Sequence, residues 1–202
     1  SCTASCKEGG DRDWTGVLDA IETVARALPV PVVAKEVGAG IGAHCARQLT
    51  GAGVAIIDVA GAGGTSWAGV EAMRAPDEQR ARIAQTFRDW GIPTAQCITQ
   101  VRRALPDTPI IASGGIRTGL DAARAIRLGA NFVGQAASVL RAAIDSPAAV
   151  ITHFQCMAHE LQIACLCTGS ATLAQLRCAE LLETDGHSGR CVGADGGNDD
   201  RS

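Results

Sequence analysis

Pro109-Ile110-Ile111-Ala112-Ser113-Gly114-Gly115-Ile116-Arg117-Thr118-Gly119, with Asn131-Phe132-Val133-Gly134-Gln135-Ala136-Ala137 after it, reads as a buried strand ending in a Gly-rich turn, then a helix, then a second strand ending in small residues. That pattern suits the phosphate-binding end of a (β/α)8 barrel, built from the loops after strands seven and eight. A phosphate is held by main-chain N–H groups only where no Cβ blocks its approach, and Arg117 offers a planar cation beside the glycines.

Outward from this stretch, strand and helix alternate. Strands are expected at Val30–Val37, Val54–Val59, Ile110–Ala112 and Phe132–Gly134. Helical spacing covers Ile41–Ala52, Asp77–Asp89, Thr94–Leu105 and Leu120–Leu128, followed by an apolar helix from Ala136 and a helical segment Val150–Leu182 broken at Thr168-Gly169. A polar insertion is read between Trp67 and Asp77. Strands that are apolar on both faces and alternate with helices indicate an α/β fold with a parallel sheet. Four such units make half a barrel of the TIM type. Gly61-Ala62-Gly63-Gly64 lacks the Gly-x-Gly-x-x-Gly spacing of a doubly wound dinucleotide fold.

The chain has 202 residues, whereas a complete barrel takes roughly 250. A net charge of -3, with three Trp, three Phe and no Tyr, gives neither a basic groove nor many stacking aromatics, which argues against nucleic acid as a partner. With no apolar run of membrane-spanning length and no basic-then-apolar start, a cytoplasmic location with no membrane partner is expected. The nine cysteines are odd in number and contain no C-x-x-C pair, so they read mostly as small buried residues in a reducing compartment. His153, Cys156 and His159 could be assembled into a metal site, but on a helix the third residue turns away from the first two.

Parity sorts the charges of the first strand. Val33, Lys35 and Val37 share one face, Ala34 and Glu36 the other, so one charge points into the barrel, and Lys35 is the expected one. A lysine among Val and Ala requires an anion, either a ligand or Asp58 at the end of the next strand. The residues leave both partners open.

Lys35-Glu36-Val37-Gly38, Asp58-Val59-Ala60-Gly61-Ala62-Gly63-Gly64-Thr65-Ser66-Trp67, Phe87-Arg88-Asp89-Trp90-Gly91-Ile92-Pro93-Thr94 and Ser113-Gly114-Gly115-Ile116-Arg117-Thr118-Gly119 together resemble the type 2, FMN-dependent isopentenyl-diphosphate delta-isomerases. The similarity runs from Gly10 to Leu182. It implies the second half of an FMN-binding TIM barrel, strands five to eight, over residues 10–182, preceded by a non-family segment 1–9 and followed by a disordered tail 183–202.

By motif match the resemblance places Lys35 beside the pyrimidine edge of the flavin, Thr65 and Ala60 in contact with the cofactor, and Gly115, Ile116, Arg117, Ala136 and Ala137 around the FMN phosphate. It implies interconversion of isopentenyl and dimethylallyl diphosphate in isoprenoid biosynthesis, with the reduced flavin as acid and base, so that no side chain is a certain catalytic residue. Mg2+ to bind the diphosphate and NADPH to reduce the cofactor are implied as well. The family's Mg2+ ligand is absent, because Thr3 and Ala4 stand where Gln-Glu belongs, so no metal site is assigned. The first three strands also have no counterpart, which makes activity of this chain alone doubtful and phosphate binding the function expected to survive. Two copies are expected to pair into a homo-oligomeric barrel, since an open half-barrel leaves two free edges. The alternatives are a non-catalytic FMN- or phosphate-binding fragment, or another FMN-dependent barrel oxidoreductase.

Overall fold

The computed structural model describes residues 13–181. Segments 1–9 and 183–202, for which a non-family start and a disordered tail are expected, lie outside the described residues. Four short strands, β1 (Val33–Lys35), β2 (Ile56–Asp58), β3 (Ile110–Ala112) and β4 (Phe132–Val133), form one sheet in the order β1-β2-β3-β4, all parallel. Sequential order with a helical crossover in every connection is the connectivity of consecutive barrel units; a doubly wound sheet would reverse direction at its first strand.

The helices are α1 (Val17–Ala27), α2 (Ala43–Gly51), α3 (Trp67–Arg74), α4 (Glu78–Thr86), α5 (Thr94–Ala104), α6 (Gly119–Leu128), α7 (Ala137–Asp145), α8 (Pro147–Cys167) and the short α9 (Leu173–Leu176). Two of them, α1 and α3, fall where the sequence reading placed no helix. Helix α1 has an apolar stripe at Val17, Ile21, Val24 and Leu28, the spacing that would have revealed it. Helix α3 is nucleated by Ser66, whose hydroxyl accepts from the Gly69 N–H at 3.1 Å. Gly169, with φ +64, ends the last turn after α8, at the predicted break.

Register assigns the two faces of the sheet. Ala34, Ile57 and Ile110 pair side by side, and Ile57, Ile110 and Ala112 are fully buried against α2, α5 and α6, where Leu49, Ile98, Val101 and Ala122 complete the core. On the opposite face Lys35, Asp58, Ile111 and Phe132 form one row across all four strands. That second face is the inside of the half-barrel. No helix among the described residues is long and apolar enough to cross a membrane.

The cysteines do not follow their expected placement. Of those described, Cys97 is buried and Cys165 half-buried, whereas Cys45, Cys156, Cys167 and Cys178 are exposed, because the helical faces that carry them lie away from the core. Among the described residues no group of His, Cys, Asp and Glu could hold a metal ion, so His153, Cys156 and His159 do not make a site. His153 Nε2 instead meets Gln135 Oε1 at 2.7 Å.

Candidate functional site

The loops after the four strands converge on a cavity of about 740 Å³ at the carboxyl ends of the sheet. Its volume is that of an ordinary cofactor cleft. Lys35 at the end of β1, together with Ala60, Thr65, Gly115, Ile116, Arg117, Ala136 and Ala137 from the segments after β2, β3 and β4, lines it.

Two acidic residues build its β1–β2 side. Asp58, nearly excluded from solvent, accepts from the Ser113 hydroxyl at 2.6 Å and from the Ala60 N–H at 3.2 Å, and its other oxygen lies 3.8 Å from Lys35 Nζ. Both partners proposed for Lys35 from sequence are therefore compatible: the ammonium rests beside Asp58, also donating to the Glu36 carbonyl at 3.0 Å, while more than half of its side chain stays open to the cavity. Glu36 points the other way, as parity requires. One of its oxygens accepts from the N–H groups of Val37, Gly38 and Ala39 at 2.6–2.7 Å and of Gly40 at 3.3 Å, which fixes the loop after β1. The sequence reading missed that role; Glu followed by Val-Gly-Ala-Gly at a strand end was its signal.

The glycines of the two central loops are required by the protein's own packing. Gly114 (φ +95) and Gly115 (φ +80) lie against the backbone of Gly61 and Gly63, and a Cβ on Gly115 would sit 2.5 Å from the Gly63 carbonyl oxygen. Thr94, at the start of α5, clamps the same junction: its hydroxyl donates to the Gly114 carbonyl at 2.6 Å and its N–H to the Ala62 carbonyl at 3.2 Å. Ala60, at φ 36, is the one described non-glycine residue with positive φ, and it faces the cavity.

The far side carries the groups suited to an anion. Arg117 is exposed on the loop leading into α6, where Thr118 and Asp121 form a reciprocal capping box. Burial pulls the Asp121 carboxyl up, but the Arg117 and Thr118 N–H groups, the Thr118 hydroxyl and the Arg117 charge outweigh it and hold it below the usual carboxylate range. Helix α7 begins at Ala136 with no side-chain cap, so its first N–H groups are left for a ligand or solvent at the cavity wall.

A smaller cleft of about 260 Å³ adjoins the first and shares Val37, Gly38, Gly63, Gly64, Thr65 and Trp67 with it. Phe87 and Trp90 close its other side in edge-to-face contact, and Ser66 ties that segment down by donating to the Arg88 carbonyl at 2.5 Å.

Residues 9–183 match the family model described as FMN-dependent dehydrogenase. The chain is 65% identical over 175 residues to an isopentenyl-diphosphate delta-isomerase of Stutzerimonas stutzeri, covering 87% of this chain and 51% of that protein. It is 55% identical over 179 residues to the isopentenyl-diphosphate delta-isomerase of Xanthobacter autotrophicus, covering 89% and 52%. The chain thus spans about half the length of the curated relatives it matches. Among solved structures, a protein described as a lactate oxidase of Pediococcus acidilactici superposes with a TM-score of 0.63 at 21% identity, covering 83% of this chain and 41% of the other. A mandelate oxidase variant gives 0.59 at 22%, covering 79% and 42%. At such identities the likeness is one of fold.

Proposed function

We propose, since this chain belongs to the FMN-dependent dehydrogenase family, that its cavity is an FMN site and that the chain supplies the phosphate-binding half of an isopentenyl-diphosphate delta-isomerase. The observation that carries the reading is the convergence of eight residues, from the end of β1 and from the segments that follow β2, β3 and β4, on one cavity that two cations, Lys35 and Arg117, and an uncapped helix start also line.

The residues present fit the cofactor. Arg117 and the N–H groups at the start of α7 would take the phosphate, with Ala136 and Ala137 leaving its approach free of bulk. Gly115 and Ile116 would form the floor of that pocket. Lys35, held by Asp58, would place its ammonium where negative charge develops on the ring, and Asp58 in turn is fixed by Ser113. Ala60 and Thr65 would contact the ring. Once bound, FMN supplies acid–base chemistry at the allylic carbon of a diphosphate ester. No group of His, Cys, Asp and Glu among the described residues could hold Mg2+. NADPH would act only as reductant of the cofactor. Cofactor binding without turnover is the expected behaviour of this chain by itself. Among the described residues no His lines the cavity to take a proton from a 2-hydroxy-acid substrate, which favours the isomerase reading over an oxidase of that type.

Flavin titration followed by fluorescence quenching tests the proposal. FMN should bind more tightly than riboflavin. Arg117→Ala should weaken FMN about tenfold, the worth of one charge-assisted hydrogen bond, and leave riboflavin unchanged, whereas Lys35→Ala should weaken both. Equal affinity for the two flavins, or unchanged FMN binding by Arg117→Ala, would remove the phosphate assignment.

A further inference from the structure

We infer that Thr94, a residue outside the lining of the cavity, is a positioning residue for an anion bound there: its hydroxyl holds the Gly114 carbonyl and so aims the N–H of Gly115 at a phosphate monoester. The inference rests on the reading given above, since the phosphate it serves is that of the flavin nucleotide. Thr94 opens α5 and is nearly excluded from solvent. Its own N–H is spent on the Ala62 carbonyl at 3.2 Å, which leaves the hydroxyl to reach across to the loop after β3.

A trans peptide fixes its carbonyl and its N–H on opposite edges of one plane. The Thr94 hydroxyl donates to the Gly114 carbonyl at 2.6 Å, with the Ser113 carbonyl 3.4 Å away, so the N–H of Gly115 is turned from Thr94, and no described residue accepts from it. Gly114 and Gly115 both have positive φ, and successive N–H groups in such a turn form a concavity suited to an anion. The opening in front of the Gly115 nitrogen depends on Gly64, where a Cβ would come within 2.9 Å of it. The φ of Gly64 lies outside the left-handed region, so what its missing side chain provides is space.

The donors that follow Gly115 in the chain are already committed. Asp121 takes the N–H groups of Arg117 and Thr118 at 3.1 and 3.2 Å, Glu160 takes that of Gly119 at 2.6 Å, and the Ser138 hydroxyl pins the Ile116 carbonyl at 3.1 Å. Two carboxylates of the protein itself thus occupy the first turn of α6, whereas Gly115 and the uncapped start of α7 stay available on the cavity wall. That availability is not an effect of the ends of the sheet. β3 lies between β2 and β4, and its loop has described neighbours on both sides, Gly63 and Gly64 on one and Ser138 on the other.

Titration of the whole chain with inorganic phosphate, followed by nuclear magnetic resonance, should shift the Gly115 amide and leave in place that of Gly129, whose N–H is spent on the Ile126 carbonyl. This measurement needs no substitution, so it decides the matter even where a variant does not fold. In flavin titrations Thr94→Val should bind FMN about tenfold more weakly, the worth of one hydrogen bond, and riboflavin as the wild type does, and Thr94→Ser should recover most of the loss. A role in folding alone would weaken both flavins together. A Gly115 amide indifferent to phosphate, an equal loss for both flavins, or no rescue by serine would each overturn the inference. FMN binding that Arg117→Ala weakens and Thr94→Val does not would keep the flavin reading and remove this one. A phosphate response that Thr94→Val abolishes, in a chain that takes up neither flavin, would uphold the anion site and remove the flavin reading.

Discussion

At the residue scale the chemistry of this molecule is set by what each charge has beside it. Lys35 and Asp58 are register partners in adjacent strands, so their pairing could be foreseen from the alternation of β1; the Ser113 hydroxyl that completes the trio could not, because strand alignment fixes it and sequence distance does not. Cys97 shows the same logic with the opposite sign. Burial, helped by the negative charge of Glu36, pushes its thiol up to about 11 from an ordinary value of 9.0. Below pH 9 both the folded and unfolded thiol are protonated and the shift contributes nothing adverse. As pH rises from about 9 towards 11 the unfolded chain loses that proton while the folded chain keeps it, so stability falls across this window. The sequence has no Tyr and only two lysines, Lys7 and Lys35, but its eight other cysteines titrate in the same window, with Cys45 also pushed up by burial, so the Cys97→Ala variant is the reference that isolates Cys97. The melting temperature of the wild type should therefore drop more steeply between pH 9 and 11 than that of Cys97→Ala, once each is referred to its own value at pH 8. Parallel slopes would show that Cys97 ionises freely.

At the element scale the strands and most helices were legible because hydrophobic period and breaker residues agreed. Ile110–Ala112 was placed to the residue, and Thr94–Ala104 and Gly119–Leu128 to within one position of their expected ends. Strands β1 and β2 are shorter than the apolar runs that carry them, since Val30–Val32 and Val54-Ala55 lie before the ladder begins. What stayed hidden was the close approach between the loops. The Gly-Gly pairs at 63–64 and 114–115 read from sequence as space for a phosphate, whereas the structure uses them first as space for each other. The two uses are compatible, because Gly63, Gly64, Gly114 and Gly115 also line the cavity. Gly114→Ala separates them. The added methyl would overlap the Gly61 carbonyl at a φ of +95 that alanine avoids, so it should destabilise the fold by about 2–3 kcal/mol. Urea unfolding should show a lower midpoint at unchanged slope. A stability within about 0.5 kcal/mol of wild type would mean that the loops are not in contact.

At the scale of the whole molecule, α/β class and strand order followed from the alternation of elements, and half a barrel followed from the count of units. Where the apolar surface would remain open did not follow. The sequence of α1 is amphipathic and would be read as packed like any other helix; only the sheet order shows that it lies beside edge strand β1 of the described sheet, where it buries no residue.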